Sequence, residues 1–184
     1  AGDMPLYDSL VHTFGTAGTG GFSIKTLSIG YYKSPYIDVV ITVFMALFGV
    51  NFSLYYILLK GNLKSFLRDD ELRFYFGVIF TAITLITINV YGEKIYDTVA
   101  ESLRHSAFQV SSIITTTGYA TTDFTLWPVF SQIMLLILMF IGASAGSTGG
   151  GIKCVRIFLL FKIAKRRITR LVHPKAVQAI TMNG

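Results

Sequence analysis

Apolar positions gather into three long runs separated by polar joints. The first runs from Tyr36 to Leu59, with Asp38 near its start, and is bounded by Pro35 and by Lys60-Gly61. Its 24 residues would reach about 36 Å as a helix, enough to cross a bilayer with some tilt. The second, Phe74 to Tyr91, is uncharged over 18 residues and ends at Gly92-Glu93-Lys94, close to the lower length limit for a span. The third is split. Val129 to Ile141 is too short to cross, a run of small residues from Gly142 to Gly151 follows, and Ile152 to Ala164 is again mostly apolar. A glycine-rich break between two half-spans predicts a discontinuous membrane helix, whose unwound backbone must line water or be buried in protein. Leu6 to Thr16 and Thr98 to Thr115 are shorter and amphipathic, and each predicts a helix that enters the membrane and turns back, the second with Asp97 as its N-cap.

Composition points the same way. Of 184 residues, 52% are hydrophobic and 14% charged, against roughly 25% charged in a soluble domain. Mean hydropathy is +0.58. These values exclude a disordered or low-complexity chain and weigh against an ordinary cytosolic enzyme. One cysteine, Cys154, leaves no disulfide framework or multi-cysteine metal site, and His12, His105 and His173 are too scattered for a histidine centre. The net charge of +6 is concentrated: eight bases lie between Lys153 and Lys175, and no acid follows Asp123. Directly after an apolar run, such a tail reads as a cytoplasmic flank; no nucleic-acid fold signature accompanies it, so no nucleic-acid partner is expected. The connector from 60 to 73 is richer in Lys and Arg than the opposite ends of its two spans and is placed on the cytoplasmic side as well. Ala1 is not an initiator Met and no signal peptide is visible, so the chain reads as a piece of something longer.

An internal repeat organises the chain. Both short helices run into a Thr/Gly turn, Thr16-Ala17-Gly18-Thr19-Gly20-Gly21 and Thr115-Thr116-Thr117-Gly118-Tyr119, with Thr19-Gly20 matched to Thr117-Gly118. Each turn precedes a proline and an apolar helix, and Pro35 stands as far before Gly49 as Pro128 before Gly142. A dehydrated cation needs several oxygens in place of its water shell, and consecutive backbone carbonyls turned toward one axis supply them. Glycine permits the backbone angles, threonine adds a hydroxyl, and the short helix aims its negative C-terminal end at the site. Thr117-Gly118-Tyr119, followed by Asp123, resembles the filter of potassium channels in composition and order, with Asp123 at the outer mouth raising the local cation concentration. One such stretch alone is most often just a loop; two in matched settings favour a filter.

Gly146 to Lys153 invites a phosphate-loop reading, but Ile152 separates Gly151 from Lys153 and no strand precedes it. A mobile plug or hinge beneath a pore is the better reading. Lys153 faces water or a vestibule, and Arg156 equally suits a snorkelling base. Trp127 reads as an interface anchor, and His12, His105 and Cys154 as packing or capping residues. No nucleophile–base or carboxylate pair suggests catalysis.

On the motifs Ala17 to Ser23, Thr115 to Phe124 and Ile141 to Lys153, the chain resembles the Trk/Ktr/HKT superfamily of potassium transporters, in its TrkH/TrkG branch. The resemblance implies an all-α membrane protein of potassium-channel-like helix–pore-helix–filter–helix repeats with a broken inner helix. It implies four such units around one pore. Residues 1–59 match the second unit without its outer helix, 60–73 a cytoplasmic connector, 74–170 the complete third unit, and 171–184 a cytoplasmic tail. It implies potassium uptake across the bacterial cytoplasmic membrane. Filter positions are then Thr19, Gly20, Gly21, Thr116, Thr117, Gly118 and Tyr119, with K+ at Thr19, Gly20, Thr117 and Gly118. Gly142, Gly146, Ser147, Thr148, Gly149, Gly150, Gly151 and Lys153 match an intramembrane gating loop. The implied assembly is a homodimer with a cytosolic, nucleotide-binding, TrkA-like regulatory subunit, no cofactor, and K+ transport coupled to Na+ or H+ or to neither. A non-transporting membrane scaffold is the alternative.

Overall fold

The computed structural model describes residues 4–172; the part of the expected cytoplasmic tail from 173 to 184 lies outside the described residues. Within them the chain is helical, with no strand. The α-helices are α1 (Leu6–Ala17), α2 (Pro35–Phe48), α3 (Phe52–Leu59), α4 (Leu63–Arg68), α5 (Asp70–Gly92), α6 (Val99–Ile114), α7 (Val129–Ile141) and α8 (Cys154–Val172). Their starts follow local chemistry. Pro35 opens α2, where a missing N–H costs nothing. Asp69 caps α5 by accepting from the Leu72 amide at 2.8 Å. Thr98, not Asp97, caps α6, accepting from the Glu101 amide at 3.2 Å.

The 23-residue α5 is long and apolar enough to cross a membrane. The run from Tyr36 to Leu59, expected as one span, is instead α2 and α3 meeting at 92°. Its apolar residues conceal the break. Gly49 ends α2, and Asn51 caps α3 by accepting from the Ser53 amide at 2.9 Å. The connector likewise contains a helix, α4, capped by Asn62. Trp127 is not an interface anchor: it is buried at 3% exposure, and its indole N–H donates to the Tyr96 hydroxyl at 3.2 Å.

Two buried clusters hold the helices. Tyr75, Ile79, Ile86, Val110, Ile114, Leu135 and Leu138 join α5, α6 and α7. Ile37, Ile41, Met45, Phe108 and Tyr119 join α2 to α6 and the turn after it. Lipid tails are as apolar as leucine, so packing and polar links set the arrangement. Asp38 on α2 pairs with Arg104 on α6 at 3.6 Å, and the Tyr75 hydroxyl donates to the Ala46 carbonyl at 3.0 Å.

The repeat reaches further than the turns. α2 ends at Gly49 and α7 at Gly142, the two positions equally spaced from their prolines. α2 and α7 therefore end at matching glycines, and the breaks after them bond to each other. The Ser144 amide donates to the Gly49 carbonyl at 3.0 Å, and the Phe52 amide to the Gly146 carbonyl at 3.1 Å. Tyr75 occupies the notch at Gly49, where a Cβ would lie 2.1 Å from its hydroxyl oxygen.

Candidate functional site

Both short helices end in the same backbone motif. After α1, the Gly20 amide donates to the Gly15 carbonyl at 2.8 Å and the Thr19 amide to the Thr16 carbonyl at 3.2 Å. After α6, the Thr117 amide donates to Ser112 at 2.9 Å and the Thr116 amide to Ile113 at 3.0 Å. This pair of reversed bonds closes a helix through one left-handed residue. Here that residue is threonine in both turns, Thr19 (φ 49°) and Thr116 (φ 59°). The structural register of the repeat is thus one residue away from the pairing read in the sequence. Thr19 matches Thr116, Gly20 matches Thr117, and Gly21 (φ 66°) matches Gly118 (φ 88°).

The two turns touch. A Cβ on Gly21 would lie 1.7 Å from the Thr117 carbonyl oxygen, so only glycine lets the segments approach this closely. Further along, the Gly30 amide donates to the Ala120 carbonyl at 3.1 Å. Tyr119 is fully buried and reaches across to the first turn, its hydroxyl donating to the Phe22 carbonyl at 3.3 Å. Its own carbonyl accepts from the Ser112 hydroxyl at 2.6 Å. Among the described residues, the carbonyls of Thr19, Gly20, Gly21, Thr117 and Gly118 accept no hydrogen bond. Backbone acceptors in a folded chain need partners, so this row of oxygens is available to a cation or to water. The C-terminal ends of α1 and α6 add negative potential.

Residues 142–153 lie directly against both turns. The Thr19 hydroxyl donates to the Thr148 carbonyl at 3.0 Å, and the Gly150 amide donates to the Thr116 hydroxyl at 2.7 Å. Gly149 is packed between Ala143 and Thr115, where a Cβ would lie 2.5 Å from the Ala143 Cβ and 3.0 Å from the Thr115 carbonyl oxygen. Gly142, Gly146 and Gly151 all have positive φ, and a Cβ on Gly142 would meet Gly150 and Gly151. Ser147 bonds back to the Ser144 carbonyl, and the Lys153 ammonium donates to the Gly149 carbonyl. Cys154 is buried against the Gly142 carbonyl as a packing residue. Arg156 is exposed.

A family model described as a cation transport protein, TrkH, matches residues 1–184. The chain belongs to the TrkH family. Among TrkH-family relatives, the Trk system potassium uptake protein TrkH of Salmonella typhimurium is 43% identical over 182 residues, 98% of this chain and 38% of that protein. The TrkG protein of Escherichia coli K12 is 37% identical over 182 residues. The crystal structure of the potassium transporter TrkH from Vibrio parahaemolyticus superposes with a TM-score of 0.92 at 34% identity, covering 99% of this chain and 40% of that one. The all-helical fold is therefore the TrkH fold, and the family is one of membrane transporters, not enzymes. The chain spans about two fifths of the length of the relatives it matches.

Not every expected site residue meets the others. Asp123 is exposed and bonded to Thr125, whose hydroxyl and amide donate to it at 2.6 and 2.9 Å. Those two bonds hold its carboxyl below the usual carboxylate range. Conversely, some residues that shape the candidate site carry no sequence signal. Glu71 sits in a charged stretch that reads as solvated, yet its carboxylate accepts from the Ala145 amide at 2.6 Å. Ser112 and Asn51 read as ordinary helix and run residues, while they fix the second turn and cap the break.

Proposed function

We propose that the chain forms two of the sides of a potassium pathway across the bacterial cytoplasmic membrane. Carbonyl and hydroxyl oxygens at Thr19, Gly20, Gly21, Thr116, Thr117, Gly118 and Tyr119 replace the ion's water, with K+ held between the matched pairs Thr19–Thr116, Gly20–Thr117 and Gly21–Gly118. The observation that carries the reading is the contact of the two turns, whose carbonyls at Thr19, Gly20, Gly21, Thr117 and Gly118 accept no hydrogen bond among the described residues. The loop from Gly142 to Lys153, bonded to both turns, is the gate. Relatives named as potassium uptake proteins support potassium as the ion. Asp123 concentrates cations at the outer mouth. The complete protein works as a homodimer under a cytosolic, nucleotide-binding, TrkA-like subunit, with Na+ or H+ as candidate coupling ions.

The test is potassium flux through the full-length transporter in vesicles, with Gly118→Ser beside the parent. Gly118 has open space for a side chain but sits at φ 88°, so serine strains the turn without a clash. Potassium flux in the parent and a loss of potassium over sodium preference in the variant are expected. Absence of flux, as for a non-transporting scaffold, refutes the reading.

A further inference from the structure

Three successive acids open α5 and point at three targets. Asp69 caps the helix, and Asp70 pairs with Lys162 of α8 at 3.0 Å. Glu71 turns inward to 5% exposure and accepts from the Ala145 amide at 2.6 Å. The Val155 amide, in the first turn of α8, and the positive charge of Lys153 lie close enough to favour the same carboxylate. Glu71 therefore meets the loop near both its beginning and its end. One turn along the same face, Tyr75 holds the break in the other inner helix through the Ala46 carbonyl.

A buried carboxylate is strongly unfavourable unless charge and hydrogen bonds compensate it. Here the Ala145 amide and the Lys153 ammonium belong to the loop and the Val155 amide to the first turn of α8, so the loop's share of the compensation lasts only while it keeps this position. Withdrawing the loop would take the Ala145 amide and the Lys153 charge away from Glu71. A group that interacts better with one arrangement than another shifts the population toward the first. We propose that Glu71 is the latch that holds residues 142–153 beneath the two turns, a positioning residue that sets how often the passage is closed. The inference rests on the reading that this loop is the gate. Glu71 touches no ion; it acts through the loop.

The test uses single-channel potassium currents of the full-length transporter in bilayers, with Glu71→Gln and Glu71→Asp, and hydrogen exchange at the Ala145 amide. A hydrogen bond to a charged acceptor supports about a tenfold effect. Glu71→Gln should raise the open fraction and the exchange rate of the Ala145 amide each about tenfold, with unit conductance and potassium/sodium preference unchanged. A general packing defect would alter the last two. Glu71→Asp keeps the charge but withdraws it by one methylene, and should show both effects in weaker form. Wild-type open fraction and wild-type exchange in either folded variant would overturn the latch. If the parent passes no potassium, the gate reading fails, while Ala145 exchange still shows whether Glu71 holds the loop.

Discussion

Gly21 gives the sharpest test of the paired turns. An alanine Cβ there would lie 1.7 Å from the Thr117 carbonyl oxygen and 2.8 Å from its carbon. Real Cβ contacts essentially never fall below 3.0 Å, so the two turns must part by at least 1.3 Å, the difference between 3.0 and 1.7. The obstacle is backbone on both sides, and no side-chain rotation relieves it. At φ 66° the alanine also carries left-handed strain of about 1–2 kcal/mol. Gly118→Ala meets only strain of that kind, since nothing lies within 4 Å of its Cβ. Gly20→Ala meets the Phe22 ring at 3.2 Å, an exposed side chain that can swing away. The order of harm to potassium over sodium preference is therefore Gly21→Ala, then Gly118→Ala, then Gly20→Ala near the parent. A cost of about 1.4 kcal/mol corresponds to about tenfold, so at least that loss is expected for Gly21→Ala. Competitive potassium and sodium uptake into vesicles by the full-length protein measures it. A folded Gly21→Ala protein with parental preference would refute the geometry, as would Gly20→Ala proving the most harmful.

Other contacts yield further expectations. Arg104→Met strands the buried Asp38 and should lower stability by about 2 kcal/mol, read by thermal unfolding in detergent; an unchanged melting temperature would make the pair incidental. Tyr75→Phe removes the bond to Ala46 while keeping the ring, and should cost about 1 kcal/mol in the same assay. Thr125→Val deletes a donor that favours ionised Asp123, so its titration midpoint should rise toward the ordinary carboxylate value. In the parent those bonds contribute above the unfolded-state pKa and fade as pH falls through the lower folded-state value. Carboxyl chemical shifts against pH follow this, and an unmoved midpoint counts against the Thr125 contact.

Helices and turns were legible where a residue's own chemistry announces them. Pro35 opens α2, Pro128 sits just before α7, and the glycines from 142 to 151 mark the break between α7 and α8. The short helices and their Thr/Gly turns followed from polarity and repetition. The bend at Gly49 to Asn51 did not, because Val50 and the leucines and phenylalanines around it keep the run apolar through a 92° corner. The count from proline to glycine already held the clue, since Gly49 and Gly142 occupy matching places. The turn register was misjudged by one residue because Thr-Gly occurs in both stretches. The left-handed position is fixed by hydrogen bonds to Gly15 and Ser112, not by that dipeptide. Glu71 was hidden for another reason: its partner is 74 residues away, and adjacent Asp69 and Asp70 make it look solvated.

The threonines at the two helix ends have one more consequence. A β-branched residue resists left-handed backbone angles by about 1–2 kcal/mol, and Thr19 and Thr116 both adopt them. In that shape each hydroxyl faces down onto the segment below, at Thr148 and Gly150. Retreat of that segment would leave the Thr19 hydroxyl only the Gly18 carbonyl, take the Gly150 amide from the Thr116 hydroxyl, and remove part of what keeps either threonine contorted. Under the proposed reading, ion seats and barrier are then a single sprung assembly, in which clearing the floor also slackens the walls.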